Sequence, residues 1–349
     1  MAKIKAAILA ATGTVGQRFV QLLDNHPWFE VTALTGSTRS VGQTYGESCR
    51  WVLPGDMPDW ARDLTVQDTA AGLDAQVVFS ALPSDEAKLL EPSFAAAGHY
   101  VFSNASAHRM WPDVPLMIPE VNHDHAPLVK VQQAQRGWSG FIVCNCNCTS
   151  TGLTVSLKPL LDTFGLSRMV AVSLQAASGA GYPGVSSLDL IDNVIPFIGG
   201  EEPKVGAEPR KMLGALENDQ ITELTFPVSA HTNRVAVQDG HTVCVTLELG
   251  RRASVDEVIE AFESFTPAEV VRSLPSSPRV AIEVRREDDR PQPRRDRDAG
   301  HGMTTVVGRV RPDEVFDVRY VVLSHNTVKG AAGGSLQNAE LFVAEGYIH

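Results

Sequence analysis

Short apolar runs alternate with amphipathic stretches through the first 150 residues of this 349-residue chain. Ile4 to Ala10 is apolar except at Lys5 and reads as a strand, and Val15 to Asp24 repeats at helical spacing. Val31 to Thr35 and Ala75 to Leu82 read as further strands, and residues 86–97 as a helix. "YVFSNAS" from Tyr100 and "GFIVCN" from Gly140 supply two more strands. This alternation predicts an α/β fold, a Rossmann-like parallel sheet with helices on both faces.

From about Arg168 the texture changes. "RMVAVSLQAASGAG" and "HTVCVTLELG" are longer strands rich in β-branched residues, the second with two-residue alternation. In "SVDEVIEAFESF", Ser254 serves as N-cap and Glu257 as its capping-box partner. Strands with helices on one side predict an α+β second domain with an exposed sheet face suited to self-association. "RREDDRPQPRRDRDAGHG" (Arg285 to Gly302) is charged, proline-punctuated and aperiodic, and reads as a solvated loop. "GAAGGSLQNAELFVAEGYI" is helical after its glycines and is expected to pack back on the first domain. The expected division is residues 1–148 with 326–349, and residues 149–325.

A formal net charge of −11 argues against nucleic acid and anionic membrane as partners, and leaves a small anionic substrate open. No apolar run is long enough to span a bilayer. "MAKIKAAILAATG" superficially resembles a signal peptide, but its apolar run breaks at Thr12-Gly13 and continues as a glycine turn, so it reads as a first strand. Five cysteines without framework spacing suit a reducing cytoplasm.

The turn after the first strand, "AATGTVG", presents Thr12, Gly13, Thr14, Val15 and Gly16 at a helix start, where backbone N–H groups hold a pyrophosphate. Alanine at position 10 replaces the first fingerprint glycine and is tolerable there only at negative φ. The second strand ends in "TGSTRS": Ser37, Thr38, Arg39 and Ser40 stand where an NAD site usually carries a carboxylate. Hydroxyls with an arginine suit a ribose 2′-phosphate, which favours NADP. The plain alternatives are a structural turn and a surface cation.

"CNCNC" places Cys144, Cys146 and Cys148 at alternate positions. A metal site is disfavoured, because zinc ligands usually converge through Cys-x₂-Cys turns and no second ligand cluster follows; metal: none is the expectation. A redox pair two residues apart on a strand fits disulfide geometry poorly. The third reading is a single nucleophile. Cys148 precedes "TSTGLTVSLKPLL", a helix start whose dipole would lower its pKa, while Cys144 belongs to the core.

"NCNCTSTGL" resembles the nucleophile motif of aspartate-β-semialdehyde dehydrogenases, with Cys146 in place of the motif proline. "SNASAHRM", "IPEVN", "SGAGYPGVSSLD", "DNVIPFIGGEE", "NRVAVQDGHT", "DRPQPRRDRDAG" and "SHNTVKGAAGG" resemble segments of the archaeal and fungal branch, in the expected order across essentially the whole chain. The resemblance implies that Cys148 displaces phosphate from L-aspartyl-4-phosphate and that the thioester is reduced with NADPH to L-aspartate 4-semialdehyde. That is a step toward lysine, threonine, methionine and isoleucine.

The resemblance also implies roles for individual residues. His241 is the acid–base histidine, and Gln175 orients substrate beside the cysteine. Arg234 holds the α-carboxylate, and Arg109 and Asn147 belong to the substrate site. Glu208 takes the substrate amine, and Lys211 joins the phosphate site. Ser80, Ala81, Leu82, Ser178, Gly179 and Asn326 complete the cofactor site, and a cytoplasmic homodimer or homotetramer is implied. Pro209 suggests that the Glu208–Lys211 helix begins near Glu208. A two-residue hairpin at Asp239-Gly240 would set Arg234 opposite Val245, on the face of His241. Cys146, a second thiol near the reactive one, reads as the site of adventitious oxidation. The alternatives are malonyl-CoA reductase on a related scaffold, the more distant N-acetyl-γ-glutamyl-phosphate reductase, and a catalytically inactive NADP-binding paralogue.

Overall fold

The computed structural model describes residues 2–349. Its first sheet comprises β1 (Ile4–Leu9), β2 (Phe29–Thr35), β3 (Val66–Gln67), β4 (Val77–Ser80), β5 (Tyr100–Ser103), β6 (Leu116–Met117) and β7 (Phe141–Asn145). The order is β3-β2-β1-β4-β5-β7-β6 and every pairing is parallel. β4 and β7 are buried along their whole length, which is why they are apolar runs rather than alternating ones. The strand order reverses between β1 and β4, so ligands are expected in the crevice beyond their carboxyl ends. The terminal helix, Gly333–Ala344, packs against β4, β5 and β7.

The second sheet is mixed. It runs β11 (Val228–Arg234), β8 (Leu166–Gln175), β12 (His241–Leu249), β15 (Val318–Ser324), β14 (Thr305–Pro312) and β13 (Ile282–Arg285). A small hairpin, β9 (Ala215–Glu217) with β10 (Gln220–Thr222), stands apart. The helices Cys148–Phe164 and Val255–Ser264 pack on the sheet, and the second carries the expected capping box at Ser254 and Glu257. β12 is buried at alternate positions and leaves Cys244 exposed. Among the described residues no helix is long and apolar enough to cross a membrane.

Three expectations change here. Asp239-Gly240 does not close a hairpin between neighbouring strands, because β8 lies between β11 and β12. Arg234 pairs with Gln175, and the β8–β12 register sets His241 beside Gln175 from the other side. The helix carrying Glu208 begins at Glu201, with left-handed Gly200 (φ 71°) before it. Pro203 is therefore the proline of the first turn, and Pro209 lies inside the helix. The Arg285–Gly302 segment is solvated at Arg286 to Asp289, Arg294 and Arg295 as expected, but is anchored at its centre. The Asp296 carboxylate is buried, pairs with Arg290 and Arg285, and accepts the Gln292 N–H.

Candidate active site

The turn after β1 meets the requirements of an anion cradle. Gly13 caps the helix Thr14–Leu22 with no side chain bonded to the first amides and no acidic residue in the first turn. The amides at Thr14 and Val15 therefore stay available to a phosphate. A Cβ on Gly16 would meet the Ala10 carbonyl at 2.4 Å, so glycine is required for helix and strand to approach. Ala10 itself has φ 54°. The expectation of negative φ is overturned: the turn keeps the left-handed geometry of a glycine and alanine bears its strain. Ser37, Thr38 and Arg39 are exposed beyond β2, whereas Ser40 is buried against Gly36. Ser80 is buried at the end of β4, with Ala81 and Leu82 just after it.

A cleft of about 890 Å³ runs from this turn to the cysteine. Thr14, Val15, Leu82, Ser178, Gly179 and Asn326 line it, as do Arg109, Asn147 and Cys148. A dinucleotide with a 2′-phosphate fits these residues: uncapped amides, a close-packed glycine and an exposed Arg39 whose carbonyl alone is engaged, by Gln43. Asn326 ties two loops together, accepting from Gly240 N–H at 2.7 Å and donating to Ser178 Oγ at 2.8 Å.

Cys148 is the first residue of its helix, and Asn147 is the cap. The Asn147 Oδ1 accepts from Thr149 and Ser150 N–H, and its Nδ2 donates to both oxygens of Glu201. Asn147, which also lines the cleft, thus ties the cysteine's helix start to Glu201. Gly330 presses on the other side, where a Cβ would meet Cys148 Cβ at 2.9 Å. Across the domain junction His241 Nε2 lies 3.2 Å from Cys148 Sγ. Gln175 donates to Glu201 at 3.3 Å, and Arg234 donates to the Ala176 carbonyl at 2.7 Å. Gly179 roofs the pair, since a Cβ there would meet Arg234 Nη1 at 2.8 Å and His241 Nε2 at 3.0 Å.

Electrostatics correct a further expectation. Burial first, and the Glu201 carboxylate second, push the Cys148 thiol up to about 12 against the pull of Arg109 and Arg234. Burial, with Arg234 and His325 adding to it, pushes His241 down to about 3. Both shifts favour a neutral thiol and a neutral imidazole, against the expectation of a lowered cysteine pKa. Cys146 is fully buried, its thiol also pushed up to about 12 by burial, with Sγ 3.0 Å from Thr151 Oγ1. Such a sulphur is inert, which overturns its reading as the oxidation-prone thiol. Cys144 is a core residue.

Glu208 and Lys211 do not face the cleft. The Glu208 oxygens accept from Arg109 Nη1 at 3.0 Å and from Asn147 N–H at 2.6 Å. Lys211 Nζ donates to three backbone carbonyls, those of Arg109, Trp111 and Val114. The cleft instead holds Glu201 and Lys204, the same spacing two turns earlier, paired with each other at 3.0 Å. Sequence reasoning missed them, although "EEPK" directly after Gly199-Gly200 carries both a helix start and the acid–base spacing. Lys329 is also withdrawn from the cleft: its Nζ reaches Gln337 and both oxygens of buried Glu120. Among the described residues no group of three or more His, Cys, Asp or Glu side chains could hold a metal ion.

A phosphate-binding turn at a sheet's switch point, joined by one cleft to a helix-initial cysteine in contact with histidine, is the layout of a nucleotide-linked dehydrogenase that works through a thioester. Residues 5–128 match the model of the semialdehyde dehydrogenase NAD binding domain, and residues 157–329 that of the semialdehyde dehydrogenase dimerisation domain. The aspartate-semialdehyde dehydrogenase of Archaeoglobus fulgidus is 53% identical over 98% of this chain and 99% of its own. That of Methanothermobacter thermautotrophicus is 48% identical over 97% and 98%. The crystal structure of the Candida albicans enzyme with NADP superposes with a TM-score of 0.91 at 40% identity, over 99% of this chain and all of that one. The chain belongs to the aspartate-semialdehyde dehydrogenase family, alongside archaeal and fungal members.

Proposed function

We propose that the protein converts L-aspartyl-4-phosphate to L-aspartate 4-semialdehyde and phosphate, with NADPH, as a cytoplasmic enzyme of amino-acid biosynthesis. The observation that carries this reading is the contact of Cys148 with His241 at the floor of a cleft holding Arg109, Glu201 and Lys204. Cys148 attacks the acyl carbon, the C–O bond to phosphate breaks, and an aspartyl thioester remains on the sulphur. Bound NADPH supplies the hydride that reduces it. Arg109 and Lys204 are the cations available to the phosphate. Arg234, beneath Gly179, is the cation for the α-carboxylate, and Glu201 the acid nearest the substrate amine. The Cys148 amide, first in its helix, and His241 are the groups placed to stabilise charge on the acyl oxygen.

The malonyl-CoA reductase reading lacks support: a coenzyme A ester has no phosphate leaving group at the acyl carbon and no free amine for Glu201. An inactive paralogue is disfavoured by the intact Cys148–His241 contact. The exposed apolar side chains Leu188, Ile191, Val194 and Phe197, in the segment between β8 and the Glu201–Met212 helix, support a homo-oligomer built on a homodimer. Free thiols throughout suit the cytoplasm.

The test is the reverse reaction. Aspartate semialdehyde, NADP and phosphate together should generate NADPH absorbance, and omission of phosphate should abolish it. Phosphate-independent turnover, or none from folded protein that binds NADP, would overturn the proposal.

A further inference from the structure

The cleft is lined by three cations, Arg18, Arg109 and Lys204, which differ in how their charge is met. Arg109 pairs with Glu208 at 3.0 Å, and Lys204 with Glu201 at 3.0 Å. Arg18 has no carboxylate partner among the described residues. Its Nη1 donates to the Gln21 side-chain oxygen at 2.7 Å and its Nη2 to Thr327 Oγ1 at 3.2 Å, both neutral acceptors. A second N–H remains on each Nη. The Nε–H is buried and has no partner. Burial lowers the Arg18 pKa, and Asp239 and Asp298 oppose it only from a distance. The Asp298 carboxylate faces Arg297 and His325 instead. A guanidinium stays charged at any working pH, so a half-buried one without a counter-ion costs the ligand-free protein stability.

Its place in the cleft indicates which anion meets it. Arg18 follows Thr14 by four residues and Val15 by three, so it stands on their face of the helix, one turn further in. Thr14 and Val15 present the open amides, which suit one phosphate of a dinucleotide. Thr327, to which Arg18 donates, lies between Asn326 and Gly330, the glycine packed against Cys148. Arg18 therefore spans the stretch between the phosphate turn and the nucleophile, which the nicotinamide half of the cofactor must cross. A phosphate there matches the guanidinium fork in shape and charge, whereas a ribose hydroxyl or a carboxamide leaves the charge unmet. Gln21, which holds Nη1, is pinned in turn by its Nε2 to the Pro54 carbonyl at 3.0 Å, so the fork is oriented in the ligand-free protein.

We propose that Arg18 binds the nicotinamide-side phosphate of NADP and NADPH, supplying the full charge that the amides of Thr14 and Val15 lack. The cost of its unmet charge in the free protein is offset when the dinucleotide enters. Oxidised and reduced cofactor carry the same diphosphate, so both depend on Arg18 to the same extent. Adenosine 2′,5′-bisphosphate ends before this phosphate and does not depend on it.

The test is calorimetric titration of the full-length protein, with no turnover involved. Arg18→Met should weaken NADPH and NADP alike by about 10- to 100-fold, the usual worth of charge-assisted hydrogen bonds. 2′-Phospho-ADP-ribose, which keeps both bridging phosphates but has no nicotinamide, should lose as much. Adenosine 2′,5′-bisphosphate should lose less than about 3-fold, through screened long-range attraction alone. Arg18→Lys keeps the charge without the fork and should recover part of the loss. Ligand-free Arg18→Met should melt at or above the wild-type temperature, because a charge without a counter-ion is gone. Equal loss for adenosine 2′,5′-bisphosphate would place Arg18 at the adenosine end or in the folding of the turn, and overturns the proposal. Loss confined to probes that carry nicotinamide overturns it too. Unchanged NADPH affinity with a lowered ligand-free melt would make Arg18 a structural tie to Thr327, against the proposal. Wild-type protein that fails to bind NADPH would overturn the cofactor reading itself, and is told apart by needing no variant.

Discussion

The two ends of the helix Glu201–Met212 carry the same pair of residues at the same spacing and have opposite fates. At its start Glu201 and Lys204 face the cleft. About 10 Å further along the axis, Glu208 and Lys211 are buried and fully engaged by Arg109, Asn147 and backbone carbonyls. An acid and a base at i and i+3 share a helix face wherever they occur, so spacing alone does not separate a ligand pair from a scaffold pair. What separates them is access: Glu201 and Lys204 line the cleft, and Glu208 and Lys211 do not. The back pair is spent, and its task is to hold Arg109 and the Asn147–Cys148 elbow in place.

The comparison breaks most visibly at Lys211. Lys211→Met should leave three carbonyls unpaired and cost about 3–5 kcal/mol in urea denaturation of the protein without ligands. A loss confined to activity would move Lys211 into the substrate site. Lys204→Ala should do the reverse: KM for phosphate rising about 10- to 100-fold in the reverse assay, with stability changed by under ~1 kcal/mol.

The His241 side of the cleft gives a pH signature. Its imidazole is held at about 3, below the ordinary 6.5, so between these values the unfolded chain binds a proton that the folded chain refuses. Its contribution to stability is complete above about pH 6.5 and is lost progressively as pH falls toward 3. Going from pH ~7 to pH ~5 should cost the wild type about 1–2 kcal/mol more than His241→Gln. An equal cost in both would place the acid sensitivity elsewhere. The smallest effect is expected at Cys146→Ala, which removes a buried thiol remote from the chemistry. Turnover should stay near wild type and stability should fall by about 1 kcal/mol; complete inactivation would give Cys146 a role in the reaction.

The parallel sheet was legible because strands buried on both faces carry unbroken apolar stretches, as Ala6–Leu9, Val77–Phe79 and Phe141–Cys144 do. The helix start at Cys148 was legible because a buried strand leads there into hydroxyl-rich residues. The turn signal at Asp239-Gly240 was real, with Gly240 at φ 100°, but local pattern does not say which strand is the neighbour. β8 ends 64 residues upstream of that turn (Gln175 to Asp239) and enters between the two, which aligns Arg234, Gln175 and His241 across three strands. The helix start was misplaced because two prolines, Pro203 and Pro209, offered the same signal. The left-handed Gly200 decides between them, and φ is not visible in a sequence. The ionisation of Cys148 was misjudged for a related reason. A helix start is a local feature, whereas the burial and the Glu201 carboxylate that raise this thiol depend on how distant parts of the chain pack.

The central claim is a covalent aspartyl thioester on Cys148. Mixing the enzyme with L-aspartyl-4-phosphate in the absence of NADPH, quenching in acid and mapping peptides by mass spectrometry tests it most directly. The account predicts an aspartyl adduct on the peptide at Cys148 alone, formed with release of one phosphate per active site and lost in Cys148→Ser. An adduct on Cys146 or Cys144, or phosphate release with no adduct at all, would contradict it.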